Sequence, residues 1–147
     1  MSQYSPLNYA LKILEKRSKT VGEMKKKMAE KEFSKEEIDT TIKKLIENKF
    51  LDDERYAKSF IREKISFRHE GKRRIAFELR RKLISDDIIA KELANIETES
   101  EAETASDAAK KWLRIRGKTE NIREKLFRHL ASKGFGYDTI KEIIDKL

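Results

Sequence analysis

Few side chains in this sequence have the types and the spacing that catalysis or metal binding requires. The 147 residues include no cysteine, which excludes disulfides, thiolate metal sites and cysteine nucleophiles. His69 and His129 lack the HExxH spacing of a zinc site, and we expect His129 to be exposed on the surface of a helix. Neither a GxxxxGKS/T nor a GxGxxG phosphate loop is present. The sequence therefore predicts a protein that is not an enzyme and that needs no metal or cofactor.

Binding is the chemistry that the side chains favour. Arg73, Phe77, Arg80 and Arg81 follow steps of four, three and one residues, so they gather on one face of a helix. An aromatic ring among guanidinium groups suits either nucleic acid or an acidic protein surface. In the alternative interpretation, Phe77 packs against a neighbouring part of the protein and the arginines surround it. The candidate binding residues are Arg73, Arg74, Phe77, Arg80, Arg81, Lys82, Arg114, Arg116, Arg123 and Arg128.

The positive charge is concentrated in two segments. Lys and Arg total 35 against 27 Asp and Glu, a formal net charge of +8. Residues 62–82 contain nine basic and three acidic residues, and residues 110–128 contain eight and two, so each segment carries +6. Residues 97–107 contain five acidic residues and no basic one. We therefore expect an anionic partner to contact the middle and late parts of the chain.

Composition narrows the class of protein. One proline and five glycines argue against a disordered linker and against a turn-rich β-sandwich. No apolar run approaches the roughly 20 residues of a membrane span. The first four residues do not begin a signal-peptide core. We expect a cytoplasmic, helical protein without contact with a membrane, and a monomer.

An apolar pattern recurs every 51 residues. Met28, Leu79 and Leu130 are one set of equivalent positions, and the offsets −4, +5, +10, +14 and +17 from them are also apolar in all three copies. The steps of three and four residues indicate amphipathic helices. The sequence therefore predicts an all-α fold of three tandem three-helix repeats, stacked into an elongated, curved array. The predicted repeats are residues 1–52, 53–98 and 99–147.

Capping signals set the predicted helix starts. Thr20 with Glu23, and Ser34 with Glu37, fit the capping box, and Ser85 is the N-cap equivalent to Ser34 one repeat later. The acidic residues at positions 52–54 suit the first turn of a helix better than a Mg²⁺ site. The predicted helices cover about 6–17, 20–32, 34–48, 53–68, 71–82, 85–95, 99–116, 120–133 and 136–147.

Three helices with a tight second turn also suggest the helix-turn-helix motif, in which the last helix enters the major groove of DNA. The charged residues of the third helices sum to −1, −2 and −1 along the chain, and acidic residues crowd their first turns. Base-reading side chains would be needed at those positions. The sequence therefore disfavours sequence-specific reading of DNA.

Two segments resemble a known family. One reads Phe50-Leu51-Asp52-Asp53-Glu54-Arg55-Tyr56-Ala57, and the other has Gly71, Arg74-Ile75 and Glu78-Leu79. Weaker matches continue at 14–18, 23–28, 60–61, 82 and 134–135. Over nearly its whole length the chain resembles the RecX family of RecA regulators. It departs from the family where a small residue often ends the second helix, because Glu32 and Leu83 occupy that position and only Gly134 is small.

The resemblance implies tandem three-helix repeats and a function without catalysis. Family members bind the RecA–single-stranded DNA filament and suppress its ATPase and strand exchange, which affects recombination and DNA repair. An extended basic array could contact several RecA protomers at once. The same arginines would also suit a stand-alone single-stranded nucleic-acid-binding protein, and a third hypothesis is a helical scaffold for another acidic partner.

Overall fold

The structure is a computed structural model that describes residues 5–96 and 98–147, and those residues form helices and short connections without a strand. Every described helix begins and ends within two residues of its predicted bounds. The all-α prediction is confirmed. The helices are α1 (Pro6–Lys16), α2 (Val21–Glu30), α3 (Lys35–Glu47), α4 (Asp53–Ser66), α5 (Lys72–Arg81), α6 (Asp86–Ala94), α7 (Thr98–Arg116), α8 (Ile122–Ser132) and α9 (Tyr137–Asp145).

The residues predicted as N-caps lie at the starts of the helices that they cap. Thr20 and Ser34 each form a complete capping box, in which the hydroxyl accepts from a backbone N–H and a glutamate three residues later accepts in return. Ser85 Oγ accepts from the N–H of Ile88, and Asp52 Oδ1 accepts from the N–H of Arg55 at 3.0 Å. These bonds satisfy N–H groups that have no partner within the helix.

The helices form three units, each around its own core: α1–α3, α4–α6 and α7–α9. Met28, Leu79 and Leu130, the equivalent positions of the 51-residue period, are each fully buried in one of these cores. The period therefore marks three copies of one packing arrangement. Burying one such side chain contributes about 1.5–3 kcal/mol.

The units stand in a row and do not share one core. The accessible surface is 10249 Å² for a 17.3 kDa chain, against about 7,800 Å² for a compact monomer of that mass. The excess agrees with the predicted elongated array of repeats.

Helix α5 joins the second unit to both neighbours. At its C-terminal end, the Thr20 hydroxyl donates to the carbonyl oxygen of Lys82 at 2.6 Å. At its N-terminal end, the N–H of Gly71 donates to the carbonyl oxygen of Lys133 at 2.8 Å. Thr20 and Gly71 are 51 residues apart, as are Lys82 and Lys133, so the two joints are equivalent. We call them the first joint and the second joint.

Close backbone approach defines the second joint. A Cβ on Gly71 would lie 2.5 Å from the backbone of Gly134, and the N–H of Arg73 donates to the Gly134 carbonyl oxygen at 3.2 Å. In the first joint, a Cβ on Gly22 would lie 2.5 Å from the Cβ of Leu83. Residues with side chains at these glycines would push the units apart.

A left-handed residue follows the second helix of every unit, two residues after the helix ends. Glu32, Leu83 and Gly134 have φ values of 68°, 66° and 96° and are spaced by 51 residues. The N–H of the next residue donates to the carbonyl oxygen of Met28, Leu79 or Leu130, a hydrogen bond typical of a helix end. Only the third unit has the glycine that this conformation favours.

Candidate functional site

Helix α5 presents the predicted aromatic and basic face to solvent. Phe77 is 57% exposed and belongs to none of the three cores, so it does not pack as the alternative interpretation required. The guanidinium of Arg81 lies 5.9 Å from the centre of its ring. Arg73 and Arg81 are exposed, and neither makes an ion pair with any residue in the described part of the chain. These three side chains are available to a partner.

Arg74, by contrast, belongs to the second joint. Its Nε lies 2.9 Å from Glu78 and 3.5 Å from Glu70, and its NH1 donates to the Ser132 carbonyl oxygen at 3.3 Å. The hydrogen bond to Glu78 raises the pKa of Arg74. Arg74 therefore links the second unit to the third, and its charge is already neutralised by two carboxylates of its own unit.

Arg80 and Lys82 lie near the C-terminal end of α5. Arg80 donates to Asp86 at 3.0 Å, an exposed pair that contributes about 0–1 kcal/mol. Lys82 is half-buried, and its Nζ lies 6.0 Å from the ring of Phe60. Arg80 can therefore be released to a partner at small cost, whereas Lys82 lies near an aromatic ring of α4.

The candidates in the third unit are dispersed. Arg114 is exposed, and Arg116 lies 5.8 Å from the ring of Trp112. Arg123 donates to the carbonyl oxygen of Leu147, and Arg128 pairs with Glu124. No contact of these four arginines with α5 is among the interactions of residues 5–96 and 98–147. The structure therefore divides the predicted site between two units.

His129 does not occupy the exposed position that the sequence predicts. It is half-buried and stacks on Trp112 with 5.7 Å between ring centres. Burial lowers the pKa of His129, and Lys133 and Arg116 lower it further. The sequence prediction was wrong because the equivalent residues, Lys27 and Glu78, have no tryptophan beside them.

A carboxylate network supports the second joint. Glu70 is 4% exposed and lies beside Lys64 and Arg74, and Lys64 also pairs with Glu78 at 3.2 Å. Burial raises the pKa of Glu70, and the charge of Glu78 raises it further against the opposing effect of Lys64 and Arg74. Burial opposes ionisation of Glu78 as well, but hydrogen bonds from Arg74 and Lys64 hold its pKa below the ordinary value.

Lys133 completes this network from the third unit. Its Nζ donates to the Arg68 carbonyl oxygen at 2.6 Å. Burial lowers the pKa of Lys133, although Glu70 opposes the shift. Ionic groups from both units therefore meet at the second joint.

A basic groove that the sequence did not predict lies between the first and second units. Its cavity measures about 650 Å³. Of its lining residues only Lys82 is in the predicted set, since the others come from the ends of α1 and α3, from the connections after them and from along α4, where basic and acidic residues are mixed in the sequence. The lining is Leu14, Arg17, Ser18, Lys19, Lys49, Phe50, Asp52, Arg55, Tyr56, Ser59, Phe60, Glu63, Lys64 and Lys82.

Two aromatic rings form part of the wall of this groove. Tyr56 and Phe60 stack with 6.2 Å between ring centres. Lys64 Nζ lies 5.1 Å from the centre of the Phe60 ring. Burial raises the pKa of Tyr56, so its hydroxyl keeps its proton and can donate a hydrogen bond.

The described residues contain no group of three or more His, Cys, Asp or Glu placed to hold a metal ion. Asp53, from the acidic run at 52–54, instead accepts from the N–H of Val21 at 2.9 Å and so belongs to the first joint. Within the same residues, no helix has the length and hydropathy needed to cross a membrane.

Comparison with known proteins identifies three family domains along the chain. Residues 7–45 match the first three-helix domain of RecX, residues 52–93 match the second, and residues 99–144 match the third. These matches follow the three units in order.

Individual relatives agree with these matches. The chain is 40% identical to the regulatory protein RecX of Clostridium perfringens strain 13 over 144 residues, which cover 95% of this chain and 67% of that protein. It is 33% identical to the regulatory protein RecX of Prosthecochloris aestuarii, over 96% of this chain and 92% of that one. The chain thus spans about two thirds of the length of its clostridial relatives.

A solved structure has the same fold. The crystal structure of RecX from Lactobacillus salivarius superimposes with a TM-score of 0.85 at 28% identity, over 97% of this chain and 94% of that one. The order of the nine described helices is therefore that of an experimentally determined RecX.

Proposed function

The chain belongs to the RecX family, and we propose that it regulates the RecA recombinase by binding the RecA–single-stranded DNA filament in the cytoplasm. In this proposal it acts as a monomer without catalytic activity of its own. Binding inhibits the ATPase and strand-exchange activities of the filament, and so modulates recombination and DNA repair.

The observation that carries the proposal is the α5 face. Arg73 and Arg81 are exposed cations without acidic partners in the described residues, and they flank Phe77, whose ring is more than half exposed. Arginine and aromatic side chains dominate the energetics of protein interfaces. An exposed group of this kind supports contact with a large anionic partner.

The arrangement in units supports binding to a repeating partner. A RecA filament presents the same surface many times, and three linked units can contact successive copies of it. Each further contact forms at a high effective concentration, so several weak contacts give strong binding together. A protein bound across protomers would resist the subunit movements that accompany ATP hydrolysis.

The direct test is RecA ATP turnover on single-stranded DNA, measured across a titration of this protein. We expect turnover to fall as the protein is added and filament length to change in parallel, as seen by electron microscopy. Turnover that is unaffected at saturating protein would refute the proposal.

A second candidate function is binding to bare single-stranded nucleic acid. The exposed Phe77 ring beside Arg81 favours it, because bases stack on exposed aromatic rings and phosphates bind arginine. Fluorescence anisotropy would separate the two functions, by comparing RecA filaments with bare single-stranded DNA at the same salt concentration. Equal affinity for both would favour the second function.

A further inference from the structure

The groove between the first and second units gathers cations from three helix ends. Arg17 follows α1, Lys49 follows α3 and Lys82 follows α5. Lys19, in the connection after Arg17, also lines the groove. None of these four side chains makes an ion pair within residues 5–96 and 98–147. The fold therefore places uncompensated positive charge in one cavity.

Neither the acidic residues of the groove nor the partial negative charges of the helix C-termini cancel this positive charge. Six basic and two acidic residues line the groove, so its formal charge is 6 − 2 = +4. Lys64 is compensated by Glu78 at 3.2 Å, which leaves +3. The three helix C-termini contribute roughly half a negative charge each, about −1.5 in total. Positive charge remains after both corrections, and it favours an anionic ligand.

The aromatic side chains of the groove differ in whether their rings already have partners. The Phe60 ring is contacted by Tyr56, Lys64 and Lys82, so its faces are not open to another ring. Phe50 also lines the groove, is 53% exposed, and has no ring partner among the described residues. Phe50 can therefore stack against a planar ligand group next to the cations.

We propose that this groove is a binding site for a nucleoside triphosphate. Arg17, Lys49 and Lys82 would contact the phosphate chain, and the base would stack on Phe50. The cavity of about 650 Å³ is within the range of roughly 300–1,000 Å³ for small-molecule sites. Cations that converge on one cavity suit a compact polyanion better than an extended strand, along which phosphates are spread.

Such a ligand would connect two units. Arg17 and Lys49 belong to the first unit and Lys82 to the second, so a triphosphate that contacts all three crosses the first joint. The same Lys82 offers its carbonyl oxygen to Thr20 in that joint. The bound nucleotide would therefore stabilise the orientation of the first unit against the second.

The test is isothermal titration of the full chain with ATP and, separately, with inorganic tripolyphosphate. The variant Arg17→Gln/Lys49→Asn removes two phosphate contacts, and asparagine tolerates the left-handed conformation of Lys49, whose φ is 62°. We expect the variant to bind both compounds about 100-fold more weakly, because a hydrogen bond to a charged group contributes roughly 10-fold in affinity and two such bonds are lost. Lys43→Gln/Lys44→Asn on α3 changes the same charge outside the groove and should bind as the wild type does.

The variant Phe50→Leu tests whether the base of the nucleotide stacks on the Phe50 ring. It should weaken ATP binding and leave tripolyphosphate binding unchanged, and circular dichroism should show wild-type helix content for every variant. Absence of ATP binding by the wild type would overturn the proposal, as would equal losses in the two charge variants. ATP binding that Phe50→Leu does not weaken would also overturn the nucleotide assignment.

An oligothymidylate titration separates a free nucleotide from a nucleic-acid strand. If the oligonucleotide binds, depends on Arg17 and Lys49, and ATP does not bind, the groove is a strand site and the proposal is wrong. RecA is absent from all these titrations, so their outcome is independent of the function proposed above.

Discussion

The hydroxyl of Thr20 donates a 2.6 Å hydrogen bond to the carbonyl oxygen of Lys82, 62 residues further along the chain. The same hydroxyl accepts from the N–H of Glu23 and caps α2. Thr20 is fully buried, so water cannot replace either bond. One side chain thus begins a helix and holds two units together.

Thr20→Val keeps the shape of this side chain and removes both hydrogen bonds. We expect the free energy of unfolding to fall by about 2–4 kcal/mol, since a lost cap costs about 1 kcal/mol and an unpaired buried carbonyl about 1–3 kcal/mol. Ser34→Val removes only a cap, on α3, and should cost about 1 kcal/mol. Urea unfolding followed by circular dichroism measures both, and equal losses would show that the bond to Lys82 does not hold the first joint.

Gly71→Ala should disrupt the second joint. The added Cβ would lie 2.5 Å from the backbone of Gly134 and 2.8 Å from the ring of Phe135, so the third unit must move. We expect a loss of about 1–3 kcal/mol or more, as for other overpacked sites. Gly136→Ala is a matched control, because Gly136 is also an N-cap with negative φ and its Cβ would meet nothing within 4 Å. The control should lose only the roughly 0.5–1 kcal/mol that alanine costs at an N-cap, and an equally small loss for Gly71→Ala in thermal unfolding would contradict the close approach.

Glu32→Gly should stabilise the protein. Glu32 is exposed and has a φ of 68°, which costs a residue with a Cβ roughly 1 kcal/mol. Leu83→Gly relieves the same backbone strain at a φ of 66° but loses contact with Gly22, so its gain should be smaller. Denaturant unfolding of the two variants compares them directly. A larger gain for Leu83→Gly would mean that its packing contributes nothing to the first joint.

The sequence was sufficient to predict the units but not the surfaces between them. The 51-residue period located Met28, Leu79 and Leu130, because every unit needs the same core. The spacing also contained a signal for the role of Arg74, since Glu70 and Glu78 lie four residues before and after it. Its charge nevertheless led us to predict a binding residue. The basic groove had no such signal, because Arg17, Lys49 and Lys82 come together only when three helix ends meet in space.

Charge reversal on α5 tests the proposed function. Arg73→Glu/Arg81→Glu should weaken inhibition of RecA ATPase about 10-fold or more, measured as the concentration needed for half-inhibition, because two exposed contacts to an anionic partner become repulsive. Arg74 is left intact, since its substitution would break the second joint. Lys43→Glu/Lys44→Glu makes the same change of net charge on α3 and should inhibit as the wild type does. Inhibition that is equally strong in both variants would exclude this face of α5.

Glu70→Gln should change stability in a pH-dependent way. Burial raises the pKa of Glu70 in the folded protein. A carboxyl with a raised pKa contributes most to stability below its unfolded pKa, and that contribution is lost as the pH rises through the folded pKa. Glutamine does not titrate, so the variant should gain stability relative to the wild type between acidic and neutral pH.

The measurement for Glu70→Gln is a series of urea unfolding curves across that pH range. Glu15→Gln, at an exposed position on α1, should show no comparable trend. A stability difference that stays constant with pH would show that Glu70 is not the group that titrates.

The position of α5 has a mechanical consequence. Its ten residues form a rigid element about 15 Å long, with the first unit attached at one end and the third unit at the other. The angle between the outer units therefore depends on how α5 is held at its two ends. A partner that binds the exposed side of α5 therefore contacts the one helix on which the orientation of both outer units depends.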